Sequence, residues 1–164
     1  MHTSLVSLVP KMSDKRILIV GDLILDEYLF GNATRMSREA PIPVLEFESR
    51  RLIPGGAANP ATNIVTMGGV ASQVGIIGDD EAGKNLCAIL EKSGIDASAV
   101  IIDHSRPTTV KTRIMAQMGL RFPQQVARMD TVSRESINDK LESQLQEKIR
   151  AKLDTVDAVL FSDY

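Results

Sequence analysis

The chain has 164 residues, of which 43% are hydrophobic and 24% are charged, and its formal net charge at pH 7 is -2. This composition is typical of a globular protein with one ordinary hydrophobic core. The low net charge offers no basic surface for nucleic acid or for an anionic membrane, so we expect neither as a partner. The single cysteine, Cys87, excludes an internal disulfide, and no apolar run approaches the roughly 18 residues of a membrane span.

The first fourteen residues do not have the pattern of a secretory signal. They do not begin with basic residues. Their apolar residues do not form a continuous stretch, because serines interrupt them and Pro10 follows. We therefore expect residues 1–14 to be a disordered N-terminal extension of a domain at residues 15–164, and the protein to be cytoplasmic.

Strand-like and helix-like segments alternate from residue 16 onward. The run RILIVGD (residues 16–22) is continuously apolar and ends in Gly-Asp, which predicts a buried parallel strand in the middle of a sheet. The extended segments YLFG and PIPVLEFES follow, and Pro41 and Pro43 restrict the second of them to a sheet edge. A helix is then predicted in GGAANPATNIVTMGG (residues 55–69), ended by its last two glycines.

The second half continues the alternation. SQVGIIG and AVIID read as buried strands on either side of an amphipathic helix, DDEAGKNLCAILEKSG, which turns Leu86, Cys87, Ile89 and Leu90 inward. TTVKTRIMA and QQVARMD predict a hairpin joined by GLRFP. Ser133 is the predicted cap of a long helix, and DAVLFSDY is the last strand. The apolar stripe of that helix consists of Ile137, Leu141, Leu145, Ile149 and Leu153.

This alternation predicts an α/β fold with a mainly parallel sheet and flanking helices. Such sheets bind ligands at the carboxyl ends of their strands, so the polar residues that follow the strands are the first candidates for a site. They are Asp22, Asp26, Asp79, Asp80, Ser162 and Asp163.

One of these strand ends nearly spells a phosphate-binding loop. Residues 78–84 have the spacing G-x-x-x-x-G-K, but Asn85 stands where the motif requires Ser or Thr. The three acids at residues 79–81 would repel a polyphosphate, whereas at a helix start they accept hydrogen bonds from free N–H groups and favour the macrodipole. We therefore predict a capped helix here and no nucleotide site.

A more specific pattern lies earlier in the chain. The Gly55-Gly56 pair, two small residues and Asn59, followed by Gly68 and Gly78, resembles the N-terminal signature of the ribokinase-like (PfkB) carbohydrate kinases. Within that family, TRMSREAPIPVLE with TTVKTRIMA and QQVARMD is most similar to the kinases that phosphorylate D-glycero-D-manno-heptose 7-phosphate at its anomeric hydroxyl. The resemblance covers residues 16–164 and implies the N-terminal half of a ribokinase-like fold, with a small β lid at about residues 28–52 and 107–130.

The resemblance assigns sugar binding to Asp26, Gly55, Gly56 and Asn59. Their chemistry suits the role, because glycines let a sugar ring approach the backbone, a carboxylate accepts from paired hydroxyls, and an amide both donates and accepts. Taken alone, the glycines could equally form a strand-to-helix turn, and Asp26 and Asn59 could be local caps.

Cations on the predicted lid are candidates for a substrate phosphate, since arginine offers it a bidentate fork. The alternative for each of them is a solvated surface position. These residues are Arg35, Lys111, Arg113 and Arg128. Arg38 stands where the heptose kinases often have proline, which is a departure from the resemblance.

The family's catalytic base belongs to a Gly-Ala-Gly-Asp motif that this sequence does not contain. The resemblance therefore places the base beyond Tyr164 and implies ATP and Mg²⁺ bound mostly by a C-terminal half. No catalytic residue and no metal ligand is assigned within the chain. We expect the chain alone not to be a competent kinase.

Two functional hypotheses remain open. One is a carbohydrate kinase, a phosphotransferase with an alcohol acceptor, represented by its sugar-binding half. The other is a non-catalytic sugar-binding or interaction protein derived from the same fold. The expected partners are a sugar or sugar phosphate, and either a homodimer through the lid or a separate C-terminal half that covers the apolar edge of the last strand.

Overall fold

The computed structural model describes residues 5–119 and 122–164. In these residues the strands are β1 (Arg16–Gly21), β2 (Leu23–Met36), β3 (Pro43–Gly56), β4 (Val70–Gly78), β5 (Asp96–Asp103), β6 (Thr109–Gln117), β7 (Gln124–Thr131) and β8 (Ala158–Ser162). The α-helices are α1 (Ala58–Thr66), α2 (Glu81–Lys92) and α3 (Asp139–Leu153), and a 3-10 helix covers Leu5–Met12.

The first sheet is parallel throughout and has the order β5-β4-β1-β8. The predicted mainly parallel sheet is thus confirmed, as is the central position of β1. Helices cover both of its faces. Leu86 and Leu90 of α2 pack with Ile19 on one side, whereas Leu145 of α3 packs against the cluster of Leu18 on the other. Neighbouring residues of a strand point to opposite faces, so the apolar run of β1 serves two cores.

The second sheet has the order β3-β2-β6-β7. β2 pairs antiparallel with β3 and parallel with β6, and β6 pairs antiparallel with β7, which confirms the predicted hairpin. The edge position predicted for the proline-containing strand is also confirmed, because β3 pairs only with β2 among the described strands. Leu120 and Arg121 of the hairpin connection lie outside the described residues.

β2 begins earlier than the sequence suggested. It starts at Leu23, directly after β1, and continues for 14 residues. Leu23 and Leu25 are buried in the core, and Ile24 already pairs with Thr109 of β6, so the apolar stretch continues as a strand. Asp26 consequently lies within β2 and not in a loop after β1.

The predicted start of α3 was wrong. Asn138, not Ser133, is its N-cap, and the Asn138 side chain accepts a hydrogen bond from the Leu141 N–H at 2.9 Å. The preceding segment is held outside the helix by Arg106, whose guanidinium donates to the carbonyls of Glu135 and Ser136. At the other end of the predicted apolar stripe, Leu153 is exposed.

The N-terminal segment reaches the turn that follows α1. Residues 5–12 form a 3-10 helix, and the Asp14 N–H that follows it donates to the Gly68 carbonyl after α1 at 2.9 Å. Residues 1–4 lie outside the described residues. In the part of the chain that the structure describes, no helix is long and apolar enough to cross a membrane.

The near-match to a phosphate loop is a capped helix start, as predicted. Asp80 is the N-cap of α2, and its side chain accepts from the Gly83 N–H at 2.8 Å. It also accepts from the Thr108 N–H at 2.8 Å and the Thr108 hydroxyl at 2.7 Å. The Thr108 hydroxyl oxygen accepts from the Gly78 N–H at 2.9 Å. One carboxylate therefore joins the end of β4, the start of α2 and the approach to β6.

The environment of Asp80 favours its ionised form. Partial burial opposes ionisation, but the hydrogen bonds from Thr108 and Gly83 outweigh it and lower the pKa of the Asp80 carboxyl. The ionised Asp80 carboxylate stabilises the fold fully when the pH is above the ordinary aspartate pKa. This stabilisation is lost as the pH falls through the lowered pKa that Asp80 has in the folded protein.

Asp80→Ala is expected to lower the free energy of unfolding by about 1–3 kcal/mol at pH 7, since it removes a helix cap and leaves Thr108 without its acceptor. Urea denaturation measures this loss, and the difference from the wild type should narrow as the pH is lowered below 4. Asp79→Ala is the control, because Asp79 is exposed and pairs with the exposed His104. Equal effects of the two variants, or a loss independent of pH, would contradict the assignment.

Candidate functional site

The candidate site lies on the open face of the second sheet, close to where this sheet leaves the first. Leu25, Leu52 and Val110 point to the opposite face and pack into the core with α2. Asp26 is in register with Lys111, and Tyr28 with Arg113. Because side chains alternate along a strand, these residues project from the face that the core does not cover.

Asp26 and Arg113 form an ion pair within this face. The Arg113 Nη1 donates to the Asp26 Oδ1 at 2.6 Å, and each side chain is about four-fifths buried. The Arg113 guanidinium also lies 5.2 Å from the centroid of the Tyr28 ring. Two residues that the sequence analysis singled out are thus in direct contact.

Both glycines of the pair lie too close to neighbouring atoms to carry a side chain. A Cβ atom on Gly55 would lie 2.6 Å from the Asp26 Oδ2. Gly56 has φ +54°, and a Cβ atom there would lie 2.3 Å from the Asp22 carbonyl oxygen. A side chain at either position would displace its neighbour, so Gly55 makes room for the Asp26 carboxylate and Gly56 for the turn into α1.

Other predicted residues lie around this pair. Asn59 is exposed in the first turn of α1, three residues after Gly56. Lys111 is half-buried, with its Nζ 4.9 Å from the centroid of the Tyr164 ring. Arg128 is held by Asp130 through two hydrogen bonds of 2.9 Å.

The structure does not bring Arg35 to the same place. It lies nine residues along β2 from Asp26, a distance of about 30 Å in an extended strand. Its side chain is exposed and borders a shallow depression with Ser37 and Glu39.

A cleft of about 510 Å³ adjoins the site at the carboxyl ends of the parallel strands. Lys111 connects it to the open face, and Arg106, Arg134 and Tyr164 also line it. Sequence reasoning missed these last three, although the rule that ligands bind after parallel strands could have drawn attention to Tyr164, which follows β8.

The charges at this edge of the sheet are partly neutralised within the protein. The Arg106 Nε donates to Asp103 Oδ2 at 2.6 Å, while the backbone N–H and hydroxyl of Ser105 donate to Asp103 Oδ1. Hydrogen bonds from Ser105 and Arg106 lower the pKa of Asp103 to about 2. Lys111, in contrast, forms no ion pair with any of the described residues.

The start of α2 does not offer a polyphosphate site. The Asp80 carboxylate accepts the Gly83 N–H, a group that a phosphate at this helix start would use. The position therefore does not fit the phosphates of a nucleotide.

Comparison with known proteins agrees with the fold and with the motifs. The model of the pfkB family carbohydrate kinases matches residues 14–159. The bifunctional protein HldE of Helicobacter pylori is 42% identical over 150 residues, which cover 92% of this chain and 32% of that protein. The chain thus spans about a third of the length of the curated relatives it matches.

Solved structures show the same architecture. A carbohydrate kinase from Agrobacterium tumefaciens superposes with a TM-score of 0.64 at 17% identity, over 90% of this chain and 45% of that one. Arabidopsis thaliana ribokinase, complexed with ribose and ATP, gives 0.58 at 16% identity, over 91% of this chain and 45% of that one. With the match of the family model over most of the sequence, the chain belongs to the pfkB family of carbohydrate kinases.

Proposed function

We propose that the chain supplies the sugar-binding part of an ATP-dependent carbohydrate kinase that phosphorylates heptose 7-phosphate at its anomeric hydroxyl. The observation that carries the proposal is the Asp26 carboxylate beside Gly55 on an open sheet face, in a member of this family. Two observations support the choice of sugar. The lid segments of the chain resemble those of the heptose phosphate kinases, and its sequence is 42% identical to HldE over 150 residues.

Asp26 has the free acceptor that recognition of a sugar diol needs. Its Oδ1 is bonded to Arg113, whereas its Oδ2 accepts no hydrogen bond from any described residue. A carboxylate oxygen can accept from two adjacent hydroxyls, and hydrogen bonds to a charged acceptor are stronger than neutral ones. Gly55, Gly56 and Asn59 would complete the hydroxyl-binding surface.

The phosphate of the substrate is assigned to Lys111. This side chain lies one strand away from Asp26 in the same register, and it borders the cleft at the sheet edge. A cleft of about 510 Å³ is of the size that binds small molecules. The nearby Arg113 is already engaged by Asp26, whereas Lys111 forms no ion pair with any of the described residues and can meet a second anion.

ATP supplies the phosphoryl group in this proposal, with Mg²⁺ as its counter-ion, and the start of α2 does not fit the binding of its phosphates. Asp80 caps this helix, and Lys84 is exposed in its first turn. We therefore assign no step of phosphoryl transfer to these residues.

Association through the second sheet is a further part of the proposal. This sheet exposes large apolar side chains, among them Phe47 at 70% and Met129 at 62%. The edge strand β8 exposes Phe161 at 71%. Exposed apolar surface of this kind favours association, either as a homodimer through the lid or with a separate polypeptide along β8.

Asp26→Asn is expected to weaken binding of heptose 7-phosphate at least tenfold, because the charged acceptor is lost at nearly constant volume. Isothermal titration calorimetry measures the change. Glu27→Gln is the matched control. Glu27 is the neighbouring carboxylate on the opposite face and also pairs with an arginine, Arg50, at 2.5 Å. Equal losses in the two variants would argue against a sugar contact by Asp26.

Lys84→Ala is expected to leave any binding of ATP unchanged, because the acids beside Lys84 cap a helix and exclude a polyphosphate. Fluorescence titration with a labelled ATP analogue measures this. Loss of nucleotide binding in the variant would restore the phosphate-loop interpretation.

A further inference from the structure

Arg113 lies at the centre of a small polar network on the open face. It donates to Asp26 Oδ1, lies over the Tyr28 ring, and is close enough to Asp130 for that charge to raise its pKa along with the larger effect of Asp26. Asp130 is itself held by both hydrogen bonds from Arg128. The guanidinium is therefore fixed from several sides and is not a freely moving surface cation.

This arrangement determines which oxygen of Asp26 is available. The terminal torsion of an aspartate is broad, so an unconstrained carboxylate can present either oxygen or a range of orientations. The bond from Arg113 occupies Oδ1, and Oδ2 is left beside the Cα of Gly55, where a side chain would collide with it. The orientation of Asp26 Oδ2 is thus set by the hydrogen bond from Arg113 and by the absence of a Cβ atom on Gly55.

We propose that Arg113 is a positioning residue for sugar recognition, which fixes the Asp26 carboxylate so that Oδ2 faces the sugar hydroxyls, and that it does not bind the substrate phosphate. The inference rests on the proposed sugar-binding function and assigns Arg113 a different role from the one its sequence position indicated. Lys111 carries the phosphate contact.

The two cations of β6 therefore have separable effects. Without Arg113, the Asp26 carboxylate has no fixed ion-pair partner. Lys111, its neighbour in register on β6, then becomes the nearest alternative partner. The carboxylate is then drawn away from Gly55, and recognition of the sugar ring suffers whether or not the sugar carries phosphate. Without Lys111, the Asp26–Arg113 pair remains, and only the phosphate loses a partner.

The test compares Arg113→Met, Arg113→Lys and Lys111→Met by calorimetric titration with heptose 7-phosphate and with the unphosphorylated heptose. Arg113→Met is expected to weaken both ligands by the same factor of at least ten. Arg113→Lys should recover part of that loss, because it restores a donor without the planar fork. Lys111→Met should weaken the phosphorylated sugar alone. A loss confined to the phosphorylated sugar in Arg113→Met, or no loss with either ligand, overturns the proposal.

A measurement without ligand separates this inference from the proposed function. In ¹H–¹⁵N NMR spectra, the amide signal of Gly55 should shift in Arg113→Met, less in Arg113→Lys, and stay in place in Lys111→Met. If the wild-type chain bound neither sugar, the proposed function would fail, and the Gly55 signal would still decide the positioning role. An unchanged Gly55 signal in both Arg113 variants overturns it. If Arg113→Met does not fold, Arg113→Lys alone decides between these outcomes.

Discussion

The corner at Asp22 is the constraint on which the rest of the structure depends. β1 ends at Gly21 and β2 begins at Leu23, so Asp22 alone links this pair of strands, one from each sheet. The Asp22 carbonyl accepts the N–H of Ala57 at 2.8 Å, which joins the start of α1 to the same point, and its carboxylate accepts the Tyr164 N–H after β8 at 3.1 Å. The positive φ of Gly56 makes this close approach possible.

A second attachment holds the other side of the open sheet. Asp80 binds Thr108 directly before β6, so the strand that carries Lys111 and Arg113 is tied to the end of the parallel sheet. With β2 fixed at Asp22 and β6 fixed through Asp80, the parallel register between them brings Asp26 and Arg113 together. The candidate site therefore depends on two polar junctions at the carboxyl edge, and Asp80, one of the acids that argued against a phosphate loop, holds one of them in place.

The sequence predicted the fold where the signal was local. Continuous apolar runs identified the central strand, prolines identified the edge strand, and the acids after Gly78 identified a helix cap. It failed at Ser133, because the tether from Arg106 to the segment before α3 joins residues about 30 positions apart. For the site, the family motif selected Asp26 and the two glycines, but the ion pair between Asp26 and Arg113 spans 87 positions and depends on strand register. Arg35 shows the same limit of sequence reasoning. The lid motif groups it with the other cations, but in the structure it lies nine residues along β2 from Asp26.

The central claim is that this chain carries the sugar-binding surface of a carbohydrate kinase and that the nucleotide site is not formed by its described residues. Calorimetric titration of the wild-type chain, with heptose 7-phosphate and separately with ATP and Mg²⁺, tests both parts. The account predicts saturable binding of the sugar phosphate and no saturable binding of the nucleotide. Binding of ATP in the absence of any response to the sugar would contradict it.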